Sequence, residues 1–186
     1  MNVAVVIGLL AACALMMVLE SRGLKTTLAL SFKGDIKRES RWLAQYGQFV
    51  CTAAAVAIIW QLDPPRRWGA IVLAIAVSAT SLSAMLIKRT LGRVRPGREN
   101  AGKFLGPSFR HSNHRESFPS SHSACAVALT VMLTHFYPHG ASTFWTLALI
   151  CAGLRYLMDA HWPSDILGGI ALGYVVASAA VRFTAV

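Results

Sequence analysis

WGAIVLAIAVSATSLSAMLI, residues 68–87, runs for twenty residues without a charge, between Asp63-Pro64-Pro65-Arg66-Arg67 and Lys88-Arg89. Wound as a helix, such a run covers the roughly 30 Å hydrocarbon core of a bilayer. Trp68 at its edge suits an interfacial anchor. Uncharged runs recur on both sides: Val3–Leu19, Trp42–Leu62, Ser120–Tyr137, Ala141–Met158 with Arg155 near its end, and Ser164–Val181. None alternates with period two, so a barrel is not indicated, and helices remain to satisfy the backbone in lipid. The expected fold is all-α, a polytopic membrane protein with six transmembrane helices in a bundle, forming one domain over residues 1–186.

Composition agrees. Hydrophobic residues make up 55% of the 186 and charged residues 14%, against about 25% charged in an average globular chain. That excludes a soluble enzyme, a disordered tail and a fibrous protein. The charge is one-sided, 18 Lys+Arg to 8 Asp+Glu, net +10. On a membrane protein such an excess anchors anionic headgroups or binds an anionic substrate. Nucleic acid is not an expected partner, because no basic helix or aromatic-basic interleaving is present. Cys13, Cys51, Cys125 and Cys151 all fall in apolar runs without metal-type spacing and read as small buried hydrophobes. Val3–Leu19 lacks a preceding Lys or Arg, and Leu19-Glu20-Ser21-Arg22 is a poor cleavage site, so it reads as a retained span. Gly169 and Gly173, four apart in the sixth run, form a small-xxx-small helix-packing pattern.

Three polar clusters border the runs, and alternating spans place all three on one side of the membrane. The first is Lys88-Arg89-Thr90-Leu91-Gly92-Arg93-Val94-Arg95-Pro96. Lys88 and Arg95 are seven apart, two turns, and face one way if the helix persists to Pro96. Two such cations suit a phosphate, although Lys88 alone also reads as the positive border of a span. The second is Phe118-Pro119-Ser120-Ser121-His122, a helix start whose free N–H groups and dipole favour an anion. His122 there reads as a general acid or as an ordinary interfacial residue. The third runs from Arg155 to Asp165. His161 and Asp165, four apart, allow a carboxylate to fix the imidazole tautomer and leave the other nitrogen as a nucleophile. Arg155 adds a forked donor for phosphate oxygens. Asp159, His161 and Asp165, with His111, His114 and Glu116, could instead ligate a metal, but three cations around the same pocket would repel one.

The combination Lys88-x6-Arg95-Pro96, Pro119-Ser120-x-His122 and Arg155-x5-His161-x3-Asp165 resembles the signature of the type 2 phosphatidic acid phosphatase / vanadium haloperoxidase superfamily. Six spans make it similar to the lipid phosphatase branch. The resemblance implies hydrolysis of a lipid phosphate or diphosphate through a phosphohistidine, with no cofactor and no metal. His161 would be the nucleophile, Asp165 its orienting carboxylate and His122 the acid and base. Lys88, Arg95, Ser120, Ser121 and Arg155 would hold phosphate oxygens. Two positions depart from the pattern: Ser121 stands where Gly is usual, and Leu154 where Ser precedes the Arg. Neither removes a catalytic group.

The expected partners are membrane lipids and a lipid phosphate: phosphatidate, phosphatidylglycerophosphate, undecaprenyl diphosphate or a lipid A-type glycolipid. The section Gly97–Phe118, with Lys103, Arg110, His111, His114 and Arg115, reads as a wall of the headgroup pocket or as a basic loop on anionic lipid. Fifteen Lys/Arg fall on the side of the three clusters and three on the other, which by the positive-inside rule puts the clusters in the cytoplasm. The resemblance implies the reverse, a multi-pass protein of the inner membrane whose site faces the periplasm or exterior, and that is the expectation adopted. A metal-dependent membrane hydrolase and a non-catalytic lipid-phosphate binding or transport protein are the other classes compatible with these residues.

Overall fold

A computed structural model describes residues 1–24, 26–28, 30, 33–108 and 113–184. Arg110 and His111, expected to shape the pocket, lie outside the described residues. Among the described residues seven α-helices follow one another: α1 (Val3–Ser21), α2 (Gly34–Leu43), α3 (Phe49–Leu62), α4 (Arg67–Leu91), α5 (Ser121–Phe136), α6 (Ala141–Leu157) and α7 (Pro163–Ala180). Among the described residues there is no strand, only an isolated bridge between Arg93 and Phe104. The protein is an all-helical membrane protein. By length and apolar composition Val3–Ser21, Pro64–Leu91 and Pro163–Phe183 suffice to cross a membrane, while Phe49–Leu62 and Ser121–Phe136 are shorter apolar helices.

Two boundaries differ from the sequence reading. The run Trp42–Leu62 is not one helix. Trp42 and Leu43 end α2, and the chain turns before α3 begins at Phe49. Gly47 explains the break: its φ is 84°, and an added Cβ would collide with the backbone of Ala126 on α5. The turn is pressed too closely against α5 for a side chain, and continuing the helix would pull it away. In the other direction, α4 continues through Lys88 to Leu91 and stops at Gly92, which takes the left-handed φ of 61°. That ending corrects the expectation that helix carries Lys88 and Arg95 to the same face. Arg95 reaches the site from a loop instead.

Helix α5 is the axis of the bundle. Every residue from Ser123 to Thr130 is buried, and a helix apolar all round has neighbours all round. Leu73, Ala76 and Val77 of α4 meet Cys125, Leu129, Met132 and Phe136 of α5, with Ile59 of α3 and Ala177 of α7 completing the cluster. On the α6 side, Ala126 and Val127 meet Ala148 and Cys151. Buried hydroxyls are bonded within the bundle: Thr130 donates to the Phe144 carbonyl at 3.0 Å and so accepts from the Tyr46 hydroxyl, also at 3.0 Å.

Helices α5 and α7 approach closely, and the small-xxx-small pattern makes the contact. A Cβ on Gly169 would lie 2.5 Å from the Ser120 carbonyl oxygen, and one on Gly173 would collide with that of Ala124. The two helices therefore touch backbone to backbone directly beneath the start of α5. Gly173→Ala is expected to destabilise the bundle by about 1–3 kcal/mol through overpacking, read as a lower thermal midpoint in detergent. An unchanged midpoint would show that the helices can part without cost.

Candidate active site

The segments carrying the three sequence clusters converge at one end of this bundle. The loop after α4 folds back on itself, with the Val94 amide donating to the Lys103 carbonyl at 2.9 Å and the Gly102 amide to that of Val94 at 3.0 Å. It is stitched onto the other clusters: the Ser117 amide donates to the Arg93 carbonyl at 3.0 Å, and Trp162 Nε1 to that of Val94 at 3.1 Å. Across the bundle, the Ser120 amide donates to the Asp165 carbonyl at 2.8 Å. The starts of α5 and α7 are thereby locked together.

His161 is 1% exposed, and its Nδ1 lies 2.9 Å from the carbonyl oxygen of Ser117. A carbonyl can only accept, so Nδ1 carries the proton and Nε2 keeps its lone pair. Asp165 Oδ2 is 3.6 Å from the same nitrogen. The nearer orienting group is therefore a backbone carbonyl that the sequence reading did not consider, with the carboxylate behind it. Burial pushes the imidazole far below the ordinary histidine range, to about 3, with Asp165 opposing. His161 is accordingly neutral around pH 7, with an unprotonated Nε2.

Asp165, fully buried in the first turn of α7, uses both carboxylate oxygens. Oδ1 accepts from Arg93 Nη1 at 2.6 Å; Oδ2 accepts from Ser117 Oγ at 2.5 Å and from the Trp162 amide at 2.9 Å. The Trp162 contact also caps α7, whose first residue is Pro163. Arg93, 2% exposed, was not singled out from the sequence, where it reads as one more charge in a basic border. It lies between the rings of Phe104 and Trp162, 5.3 and 5.5 Å from the two centroids.

The predicted cations gather around this pair. Lys88 is buried in the last turn of α4, and Arg155 stands in the last turn of α6. Arg95 Nη1 donates to the Ala160 carbonyl at 2.9 Å, with a weaker contact from Nη2 to that of Glu116 at 3.4 Å. Burial lowers Arg95 from its ordinary value, but an arginine remains a cation there. Arg155 Nε is buried and has no hydrogen-bond partner among the described residues. Lys88, Arg95, Arg155 and His161 all act electrostatically on His122, in the first turn of α5. Ser120 caps that helix: its hydroxyl accepts from the Ser123 hydroxyl at 3.0 Å and, weakly, from the Ser123 amide at 3.4 Å, leaving its own proton to donate. Ser121 is the first residue of α5. All eight predicted site residues therefore occupy one end of the bundle.

His111 lies outside the described residues, and the other residues suggested as metal ligands do not form a group. Among the described residues no three His, Cys, Asp or Glu side chains are grouped to hold an ion. Asp165 is committed to Arg93, Ser117 and Trp162. Asp159, in a left-handed conformation with φ 52°, leaves Oδ1 buried and unpartnered among the described residues, and burial raises its carboxyl.

A membrane-embedded helical bundle with a buried cationic pocket, a helix N-terminus and an oriented imidazole defines a class of anion-handling membrane proteins. Residues 67–185 match the model of the PAP2 superfamily, and the chain belongs to that family. It is 33% identical over 107 residues to a lipid A 1-phosphatase of Rhizobium johnstonii, covering 57% of this chain and 44% of that protein. It is 30% identical over 124 residues to YbjG of Escherichia coli strain K12, covering 66% and 60%; that protein's undecaprenyl-diphosphatase assignment is itself provisional. The chain thus spans about half the length of the curated relatives it matches. The crystal structure of a transmembrane PAP2 type phosphatidylglycerolphosphate phosphatase from Bacillus subtilis superimposes with a TM-score of 0.69 at 18% identity, covering 96% of this chain and 94% of that one. The fold is shared.

Proposed function

We propose that this chain is an integral membrane phosphatase that hydrolyses a lipid phosphate or diphosphate through a phosphohistidine on His161. The observation that carries the reading is the neutral imidazole whose Nδ1 proton is held by Ser117, leaving Nε2 free beside buried cations. In the first step Nε2 bonds to phosphorus in line as the bond to the lipid oxygen breaks. The electron pair leaves with that oxygen, which His122 protonates. His122 then takes a proton from water, whose oxygen bonds to phosphorus. The P–N bond breaks, its pair returns to Nε2, and phosphate departs. Lys88, Arg95 and Arg155, the Ser120 hydroxyl and the free amides of Ser121 and His122 hold the equatorial oxygens as their charge rearranges. Asp165 balances the positive charge that His161 gains when phosphorylated.

The site is matched to a substrate with an apolar tail. A cavity of about 570 Å³ between α3, α4 and α5 is lined by Phe49, Val56, Val77, Leu82, Met85 and Cys125, among others. Met85 is one turn from Lys88 on α4, and Cys125 one turn from His122 on α5, so the cavity approaches the phosphate site from the bundle side. Phosphatidate, phosphatidylglycerophosphate, undecaprenyl diphosphate and a lipid A-type phosphate all present this chemistry. Helices α1 and α3 to α7 are proposed as six spans of one domain in the inner membrane, with the site facing outward despite the basic count on its side. A reporter fused to the C-terminus tests that orientation: a cytoplasmic reporter supports the outward site, and an external one overturns it.

Purified protein in detergent with excess chelator is expected to release phosphate from phosphatidate or undecaprenyl diphosphate and to be inhibited by orthovanadate. Release that needs added zinc or another metal would replace this mechanism with a metallohydrolase. Lipid binding without release at any metal concentration would make the chain a binding protein.

A further inference from the structure

Helix α1 lies outside the family-matched segment and contributes little to the core. Val3, Val5, Ile7, Leu10, Leu15 and Val18 are all exposed, and Cys13 is its one buried residue. Yet Glu20, near its C-terminal end, has a side chain only 2% exposed. An acidic group so enclosed is costly unless its charge is used. Its Oε2 accepts from Arg93 Nη2 at 2.7 Å and from the Ser164 hydroxyl, and its Oε1 accepts from the Ser164 amide at 3.1 Å. Arg93 Nη1 in turn donates to Ser164 Oγ and to Asp165 Oδ1, both at 2.6 Å. Cys13, seven residues earlier and so on the same face, donates its thiol to the Ser164 carbonyl at 3.3 Å. The inner face of α1 thus grips one residue of α7, the residue immediately before Asp165.

We propose that Glu20 is a positioning residue of the active site, holding Arg93 and the first turn of α7 so that Asp165 stays in place behind His161. The proposal rests on the phosphatase reading above. Glu20, Arg93 and Asp165 together carry one net negative charge, enclosed within the protein. Without the Glu20 carboxylate, Arg93 cancels Asp165, and the charge that His161 gains on phosphorylation is balanced less well. Glu20 does not touch the phosphate oxygens, so substrate binding is left largely intact.

The test is steady-state kinetics of the full chain carrying Glu20→Gln, which keeps the shape and removes the charge. The expected result is a fall in kcat of roughly 10- to 100-fold, the effect of one unit charge lost nearby at an effective dielectric of about 20, with KM within twofold of wild type. Glu20→Asp restores the charge and is expected to recover most of kcat, a rescue that a purely structural role would not show. Orthovanadate affinity by calorimetry provides a readout without turnover and should weaken in Glu20→Gln but not in Glu20→Asp. Wild-type protein that neither turns over nor binds vanadate overturns the phosphatase reading and this proposal with it. Active wild type with an unchanged Glu20→Gln overturns the proposal alone, as does a loss that Glu20→Asp shares in full.

Discussion

Alanine at His161 is expected to reduce phosphate release by on the order of 10⁴-fold or more, the scale at which removing a nucleophile leaves only binding and electrostatic catalysis. The imidazole is 1% exposed with its Nδ1 already engaged by Ser117, so Nε2 is the nitrogen left to bond phosphorus and the one the variant removes. Rapid mixing with labelled lipid phosphate and a denaturing quench should trap an acid-labile phosphoenzyme in wild type and none in His161→Ala. The pH dependence follows from the environment. Burial shifts His161 to about 3; a lowered value means the proton leaves at lower pH, so Nε2 is free from about pH 5 upward. Phosphoenzyme formation in single turnover should therefore show no acid limb from His161 in that range. A labelled phosphoenzyme surviving in the alanine variant would move the nucleophile elsewhere.

The reach of the sequence differs from one residue to another. Lys88, Arg95, His122, Arg155, His161 and Asp165 were legible because each is a charged or titratable residue at the edge of an apolar run, where such residues are expensive. Gly169 and Gly173 were legible as a contact, since their spacing places both on one face. The Gly47 turn was not: the charge pattern is blind to a break inside an uncharged run, and only the approach of α5 requires it. Ser117 was missed because it acts through a backbone carbonyl, which every residue possesses. Arg93 reads as one more cation in a basic border, and its burial comes from the loop folding back over Trp162. Glu20 reads as the acid that closes the first span, because its partners are 73 and 144 residues away.

Replacing Asp165 by asparagine separates two roles that are usually merged. Where a carboxylate alone fixes the imidazole tautomer, its amide variant costs about 10⁴-fold in turnover, because the amide admits the wrong tautomer. Here the Nδ1 proton is held by the Ser117 carbonyl at 2.9 Å, and Asp165 stands at 3.6 Å. Asp165→Asn should therefore keep the productive tautomer and lose only charge stabilisation and position, roughly 10²- to 10³-fold in kcat, comparable to losing one preorganised electrostatic contact. Stability should suffer as well. Both Asp165 oxygens accept hydrogen bonds, from Arg93, Ser117 and Trp162, and an amide offers one acceptor where two are needed. The NH₂ group then faces a donor, and breaking a buried ion pair costs about 3–5 kcal/mol. The Glu20 carboxylate still holds Arg93 at 2.7 Å, which places the loss toward the lower end. Thermal unfolding in detergent and kcat measured on the same preparations report the two effects separately. Turnover as low as that of His161→Ala, in a variant that remains folded, would show that the carboxylate sets the tautomer after all and that the Ser117 carbonyl does not hold the proton during catalysis.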